Sequence, residues 1–334
     1  MYSLSGDLAA VSENYTSMHC QTTQNSGNLF LTIVMIIEMI VGLPGNTVAV
    51  WIFCFRMKFW KPHTLFLFNL VIADFLLILS VPFRIDASLR DEYWVFGQAW
   101  CRINLFMLAV NRSASIAFMT AVTVDRYFKV VHPHHCINHV TLTQASWLVG
   151  LIWTVVIALR IPLLTTNLLH QDGNVSLCRS FNAYKGVPPV IIVHYVVFIV
   201  EFFLPWLVLL LCSARISCSL HHRWMDSRRK MVRKATRAVV VISLVFTICF
   251  MPGVITGLGG VYVKEYHPKN CKAYNLITTC FMMSIPFTYL NSSLDPVIYC
   301  FSSSMFRDAL KSSFGQLGFV KTNVSPDNSI DNNI

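Results

Sequence analysis

Residues 101–133 read CRINLFMLAVNRSASIAFMTAVTVDRYFKVVHP, a stretch apolar for long enough to cross a bilayer. It nevertheless carries Arg112 near its middle and Asp125-Arg126-Tyr127 near its end. At ~1.5 Å per helical residue, the two arginines stand roughly 21 Å apart. One therefore lies deep towards one side of a membrane and the other at the opposite face. A charge at membrane depth costs at least ~2.5 kcal/mol on insertion scales, so it faces a cavity or a partner and marks function.

The rest of the chain agrees with a membrane reading. Of its 334 residues 55% are hydrophobic and 13% charged, and the mean hydropathy is +0.56. Soluble domains run nearer ~25% charged. Seven apolar stretches, at about 29–55, 64–89, 98–130, 144–165, 188–220, 235–262 and 273–300, predict an all-α bundle of seven transmembrane helices. Residues 1–28 lack the apolar core of a signal peptide and form an expected extracellular N-terminus. Residues 301–317 follow the spanning domain 29–300 as a short amphipathic eighth helix, with Met305, Phe306, Leu310 and Phe314 on one face. Residues 318–334 are polar and expected to be a disordered cytoplasmic tail, in which Ser325 and Ser329 could be phosphorylated. Neither terminus carries a lipidation sequence.

Basic residues set the orientation. Arg56, Lys58 and Lys61 follow the first span, and Arg223, Arg228, Arg229, Lys230, Arg233, Lys234 and Arg237 follow the fifth. The N-terminal segment has none, which places it outside. Much of the net charge of +10 is this inner rim, suited to anionic lipid rather than to nucleic acid. Cys20, Cys101, Cys178 and Cys271 lie in or beside the outer segments, where disulfides form. Four cysteines allow three pairings. We favour Cys101 with Cys178 and Cys20 with Cys271; the alternative leaves Cys20 or Cys271 free. Asn14-Tyr15-Thr16 and Asn174-Val175-Ser176 are outer glycosylation sequons.

Short motifs recur in register with the spans: Gly45-Asn46, Asn69-Leu70-Val71-Ile72-Ala73-Asp74, Asp125-Arg126-Tyr127, Trp153, Pro205, Cys249-Phe250-Met251-Pro252 and Asp295-Pro296-Val297-Ile298-Tyr299. Each alone is weak. In this order over 29–317 the chain resembles the rhodopsin-like G-protein-coupled receptors. The resemblance implies that Asp74, with Asn46, Ser115, Asn291 and Asp295, forms a hydrated cluster able to hold a structural sodium ion, Asp74 being its metal ligand. It implies that Phe250 replaces the usual tryptophan switch and that Tyr299 closes the activation motif. It also implies that Asp125 restrains Arg126 beside Tyr127 until a G protein binds. Arrestin and receptor kinases are further partners on the same ground, and the plasma membrane is the expected location. No other cofactor and no catalytic residue is expected; Asp74 and Asp295 are the sole enzyme-like pair. A transporter or channel is the alternative of another class.

The outer half is unusually basic, with Arg84 and Arg160 besides Arg112, and Glu38, Asp86 and Glu201 as the candidate acids. An arginine fork matches a carboxylate bidentately, which points to an anionic ligand. Internal ion pairs, or snorkelling to the surface, are the alternatives. Asn111-Arg112-Ser113-Ala114-Ser115, His132-Pro133-His134-His135 and Phe287-Thr288-Tyr289-Leu290-Asn291-Ser292 resemble the hydroxycarboxylic acid receptors and the related oxoeicosanoid receptor. That resemblance implies that Arg112 binds the ligand carboxylate with help from Tyr289, that Ser180 and Phe181 lid the pocket, and that Gi/o proteins carry the signal. Gly253, Gly257, Gly259 and Gly260 remove side-chain volume from the sixth span, which favours a long oxidised fatty acid over small acids such as lactate, 3-hydroxybutyrate or nicotinate. Helix packing is the other use of those glycines.

Overall fold

The computed structural model describes residues 25–57, 60–172, 175–178, 189–222, 226–267 and 270–316. Seven long helices follow the predicted spans: α1 Asn25–Trp51, α2 Pro62–Leu89, α3 Gly97–Val131, α4 Leu142–Arg160, α5 Pro189–His222, α6 Asp226–Tyr266 and α7 Cys271–Ser302, with α8 Ser304–Gln316 after them. Six of the seven are long and apolar enough to cross a membrane by composition alone. The exception, α7, carries Asn291, Ser292 and Asp295, all buried, so its polar residues turn inward rather than towards lipid. Leu79, Trp147, Leu151, Leu204, Leu211, Leu244 and Leu276 are exposed instead, as a hydrocarbon surround requires.

Local chemistry accounts for the helix ends. Pro62 opens α2, where its missing N–H costs nothing. Thr141 and Gln144 exchange bonds as a capping box at the start of α4. The predicted fourth span breaks after Arg160, where Pro162 starts a separate turn, Pro162–Thr165. Asn270 caps α7, and the Ser303 hydroxyl accepts the Phe306 N–H at 3.2 Å to start α8. Phe306 is buried against Phe53 and Tyr299, which seats the apolar face of α8 on the bundle.

The prolines explain the most telling interhelical contact. Pro296 has no N–H for the Ser292 carbonyl, the acceptor one turn earlier. Asn46 Nδ2 of α1 donates to that carbonyl at 2.9 Å. A Cβ on neighbouring Gly45 would sit 3.0 Å from Pro296 Cγ, so glycine there is what lets the two helices approach. Gly45-Asn46 thus reads as one device, small enough to approach the kink and polar enough to satisfy it. Trp153 Nε1 similarly donates to Asn69 Oδ1 at 2.9 Å and fastens α4 to α2.

On the outer side the all-α bundle carries one short hairpin. Strands β1 Leu169–Asp172 and β2 Val175–Cys178 pair antiparallel, with Leu169 opposite Cys178. The Trp94 N–H donates to the Ser176 carbonyl at 2.8 Å, and Cys178 is disulfide-bonded to Cys101 at the top of α3. The hairpin is thereby fixed over the bundle. Cys271 is also disulfide-bonded, while its expected partner Cys20 lies outside the described residues. Asn14, Asn174, Ser180 and Phe181 lie outside them too.

Candidate functional site

The arginines of the outer half do not form one basic cluster. Arg84 donates to the Cys178 carbonyl at 3.1 Å, bolting α2 to the disulfide-held hairpin. Asp86 pairs with Arg90 at 2.9 Å, one helical turn away, rather than with Arg84. Arg160 is fully buried and ion-paired with Glu201. Its Nε and Nη2 also donate to Ser113 Oγ at 3.2 and 2.8 Å, and Ser113 donates in turn to Glu201 Oε2 at 2.9 Å. Arg160 is therefore neutralised from within the protein, which corrects the expectation of a second bare cation facing the ligand.

Arg112 differs. Its guanidinium lies over the Phe198 ring, 4.0 Å from the centroid, and part of the residue remains accessible. A cation–π contact of this kind contributes roughly 0.5–2 kcal/mol. The ring offers no carboxylate-like acceptor, so the five N–H donors of the fork are not spent on it. Among the described residues Arg112 forms no ion pair. Arg160 and Glu201 act on it electrostatically, with opposite signs.

Tyr289 is expected beside Arg112, and among the described residues no direct contact joins the two. The contacts of Arg112 are on α4 and α5. Tyr289 is buried with Leu31 and Met35 of α1 and Leu77 and Val81 of α2. Tyr289 lines a crevice with room for about a single water, together with Glu38, whose buried carboxylate oxygens have no hydrogen-bond partner among the described residues. Phe198 lies outside the motifs, and Ser113, although inside the 111–115 motif, has no role assigned there. A signal was present, since Phe198 and Glu201 are three apart on α5 and share a face.

Deeper in the bundle, Asp74 and Asp295 are fully buried and close enough to interact. Tyr299 Oη donates to Asp74 Oδ2 at 2.9 Å, and Asn111 Nδ2 approaches Asp74 Oδ1 at 3.4 Å. Asn291 Nδ2 donates to Asp295 Oδ2 at 3.3 Å. Ser115 Oγ, Asn46 Oδ1, Asn291 Oδ1 and Asp295 Oδ1 are buried without hydrogen-bond partners among the described residues. Buried acceptors of this kind need a donor, water or a cation, and an all-oxygen set suits a small hard ion such as sodium. Phe250 packs edge-on to Phe246, which stacks on Phe202, so it joins an aromatic column between α5 and α6.

At the inner end the expected Asp125–Arg126 pair is replaced. Asp125 holds Lys129 at 2.7 and 2.8 Å, and Arg126 donates to the Ser302 carbonyl at the end of α7 at 2.7 Å. Adjacent helical residues point about 100° apart, whereas residues four apart lie on one face, so the lysine wins the carboxylate. Tyr127 is hydrogen-bonded with His132 at 3.1 Å.

The glycine reading also changes. A Cβ on Gly259 would meet Ile277 Cδ1 at 2.9 Å, and one on Gly257 or Gly253 would touch Phe281 or Ser284. All three neighbours are on α7, so these positions face that helix; only the Gly259 contact is tighter than ordinary van der Waals packing. Of these four glycines, Gly260 has open space around it.

Comparison with known proteins matches residues 45–299 to the seven-transmembrane receptor family of the rhodopsin type. Human hydroxycarboxylic acid receptor 2 is 41% identical over 297 residues, covering 89% of this chain and 80% of that protein. Mouse hydroxycarboxylic acid receptor 1 is 41% identical over 272 residues, covering 81% and 76%. Human oxoeicosanoid receptor 1 is 36% identical over 308 residues, covering 92% and 77%. The lean towards the oxoeicosanoid branch is thus not matched by identity, which is higher to the hydroxycarboxylic acid receptors. The chain belongs to the rhodopsin family of seven-transmembrane receptors, in the group that holds the hydroxycarboxylic acid and oxoeicosanoid receptors.

Proposed function

We propose that this receptor recognises a monocarboxylate on Arg112 and signals through Gi/o proteins from the plasma membrane to lower cyclic AMP. Coupling to a heterotrimeric G protein follows from the family; the Gi/o class, the outward N-terminus and the arrestin and kinase partners are part of this reading. The observation that carries it is Arg112 itself, seated on Phe198 with its donors uncommitted to any acid among the described residues. A half-buried guanidinium at membrane depth in that condition is completed by an anion. Small hydroxycarboxylic acids are the favoured ligands over long oxidised fatty acids, because a Cβ at Gly253, Gly257 or Gly259 would touch α7, so these positions border the neighbouring helix rather than an acyl channel, and identity leans the same way.

Ligand binding at the outer end draws α5 and α3 together around Arg112. Arg126, on the same helix, is bonded at its inner end to the Ser302 carbonyl of α7. Loss of that bond is the inner event, and the ligand favours whichever population lacks it. A sodium ion held by Asp74, Asp295, Ser115 and Asn291 would supply positive charge between the carboxylates and favour the resting population.

The test is cyclic AMP inhibition in cells expressing wild type or Arg112→Gln, titrated with lactate, 3-hydroxybutyrate, nicotinate and 5-oxo-eicosatetraenoic acid. A response to one of the small acids, lost in Arg112→Gln at equal surface expression, is expected. A response to the long acid alone moves the protein to the other branch. An unchanged response in Arg112→Gln removes the anchor.

A further inference from the structure

Between α3, α4 and α5 the protein places two arginines and one carboxylate. Arg160 is wholly buried, and its guanidinium and the Ser113 hydroxyl close a ring with Glu201. The Glu201 side chain keeps 18% of its surface exposed. It also acts electrostatically on Arg112, as Arg160 does with the opposite sign. The three formal charges sum to +1. Glu201 cancels Arg160, and Arg112 is left to carry the site's net charge.

We infer that Glu201, held by Arg160 and Ser113, sets the charge that the ligand must have, selecting a single carboxylate and rejecting dianions. This rests on Arg112 being the carboxylate anchor. A monocarboxylate on Arg112 brings the local sum to zero. A dicarboxylate of similar length that brings its second charge to the same site leaves one negative charge uncompensated beside Glu201, and like-charge juxtaposition in a desolvated site is costly. Two consequences follow that a merely structural ion pair would not produce. Glu201→Gln raises the sum to +2 and turns preference towards the dianion. Arg160→Gln leaves Glu201 with Arg112 as its cation, so the site neutralises itself and monocarboxylate binding weakens. Removing both charges restores the original sum.

The experiment uses the full chain, purified in nanodiscs, and measures binding constants per folded receptor. The probes are straight-chain monocarboxylates of four to twenty carbons, with the dicarboxylate matching the length of the best binder. Expected are a wild-type preference for the monocarboxylate, a shift of about tenfold or more towards the dicarboxylate in Glu201→Gln, and a loss of about tenfold in Arg160→Gln. The double variant Glu201→Gln/Arg160→Gln returns to within about threefold of wild type with its monocarboxylate preference intact. If one single variant does not fold, the other still decides, because each changes the charge sum: monocarboxylate binding unaltered in folded Arg160→Gln overturns the inference as well. A double variant that loses monocarboxylate binding overturns the inference by making Arg160 or Glu201 a direct contact. An unaltered selectivity ratio in folded Glu201→Gln overturns it as well. Arg112→Gln separates the two levels: binding unchanged there, or no acid bound by wild type, removes the anchor and the inference with it. Binding lost there with selectivity unmoved in Glu201→Gln leaves the anchor and removes only the role of Glu201.

Discussion

The Asn46–Ser292 hydrogen bond should matter only because residue 296 is proline. Replacing Asn46 with alanine strips the Ser292 carbonyl of the donor that stands 2.9 Å away. Both residues are buried, so water does not readily replace that donor. An unsatisfied buried polar group costs about 1–3 kcal/mol, and side-chain hydrogen bonds within membrane bundles contribute ~0.6 kcal/mol on average and ~1.7 at most. Asn46 Oδ1 has no partner among the described residues, so its removal offsets part of the loss. About 1–1.5 kcal/mol is therefore expected for Asn46→Ala.

In a Pro296→Ala background the answer changes. Alanine restores an N–H that can reach the Ser292 carbonyl, and Asn46→Ala should then cost less than about 0.5 kcal/mol. The coupling between the sites is about 1 kcal/mol, or roughly fivefold in an equilibrium constant. The assay is a double-mutant cycle by equilibrium unfolding in mixed micelles titrated with a denaturing detergent. Equal losses in both backgrounds would refute the reasoning, because Asn46 would then act on something other than the carbonyl freed by the proline.

Three further outcomes are expected. Gly259→Val should lower thermal stability by driving its methyls into Ile277, and Ile277→Ala should recover most of the loss; no recovery would mean that the glycine serves something other than the α6–α7 contact. Cys101→Ser opens a link between residues 77 apart, worth about 4–5 kcal/mol on the chain-entropy account, and should abolish both surface expression and ligand response. Lys129→Ala frees Asp125 to turn to Arg126 and draw it from the Ser302 carbonyl, whereas Asp125→Asn removes that option, so basal nucleotide exchange should move in opposite directions in the two variants; movement in the same direction would show that the Asp125–Lys129 pair does not compete for the arginine.

The spans, their order and the eighth helix were legible because each needs only local information: length, hydropathy and a turn residue. The outer hairpin was not, since Leu169–Asp172 and Val175–Cys178 gain their order from the disulfide and from the Trp94 backbone rather than from a strand pattern. Arg126 shows how nearness in sequence misleads. Asp125 is its neighbour along the chain, yet helical geometry delivers that carboxylate to Lys129 and leaves the arginine to a carbonyl 176 residues away.

The charges of the outer half make the same point about function. The sequence supplies Arg84, Arg112 and Arg160 within the spans there, Arg90 at the end of α2, and the acids Glu38, Asp86 and Glu201, a set that suggests either a basic pocket or internal pairs. Pairing decides between them, and it is settled by which helix faces meet. Glu201 can answer Arg160 only because α4 and α5 both reach Ser113, and Asp86 answers Arg90 because four residues complete one turn. With Arg90 and Arg160 paired and Arg84 on the Cys178 carbonyl, Arg112 is left on an aromatic ring with no acid among the described residues. Its residue type was readable from a single helix, and so was its depth. Its lack of an acid among the described residues is a property of the helices around it, which is why Arg112, Arg160 and Glu201 could all be named from sequence while the pairing of Arg160 with Glu201 had to be seen.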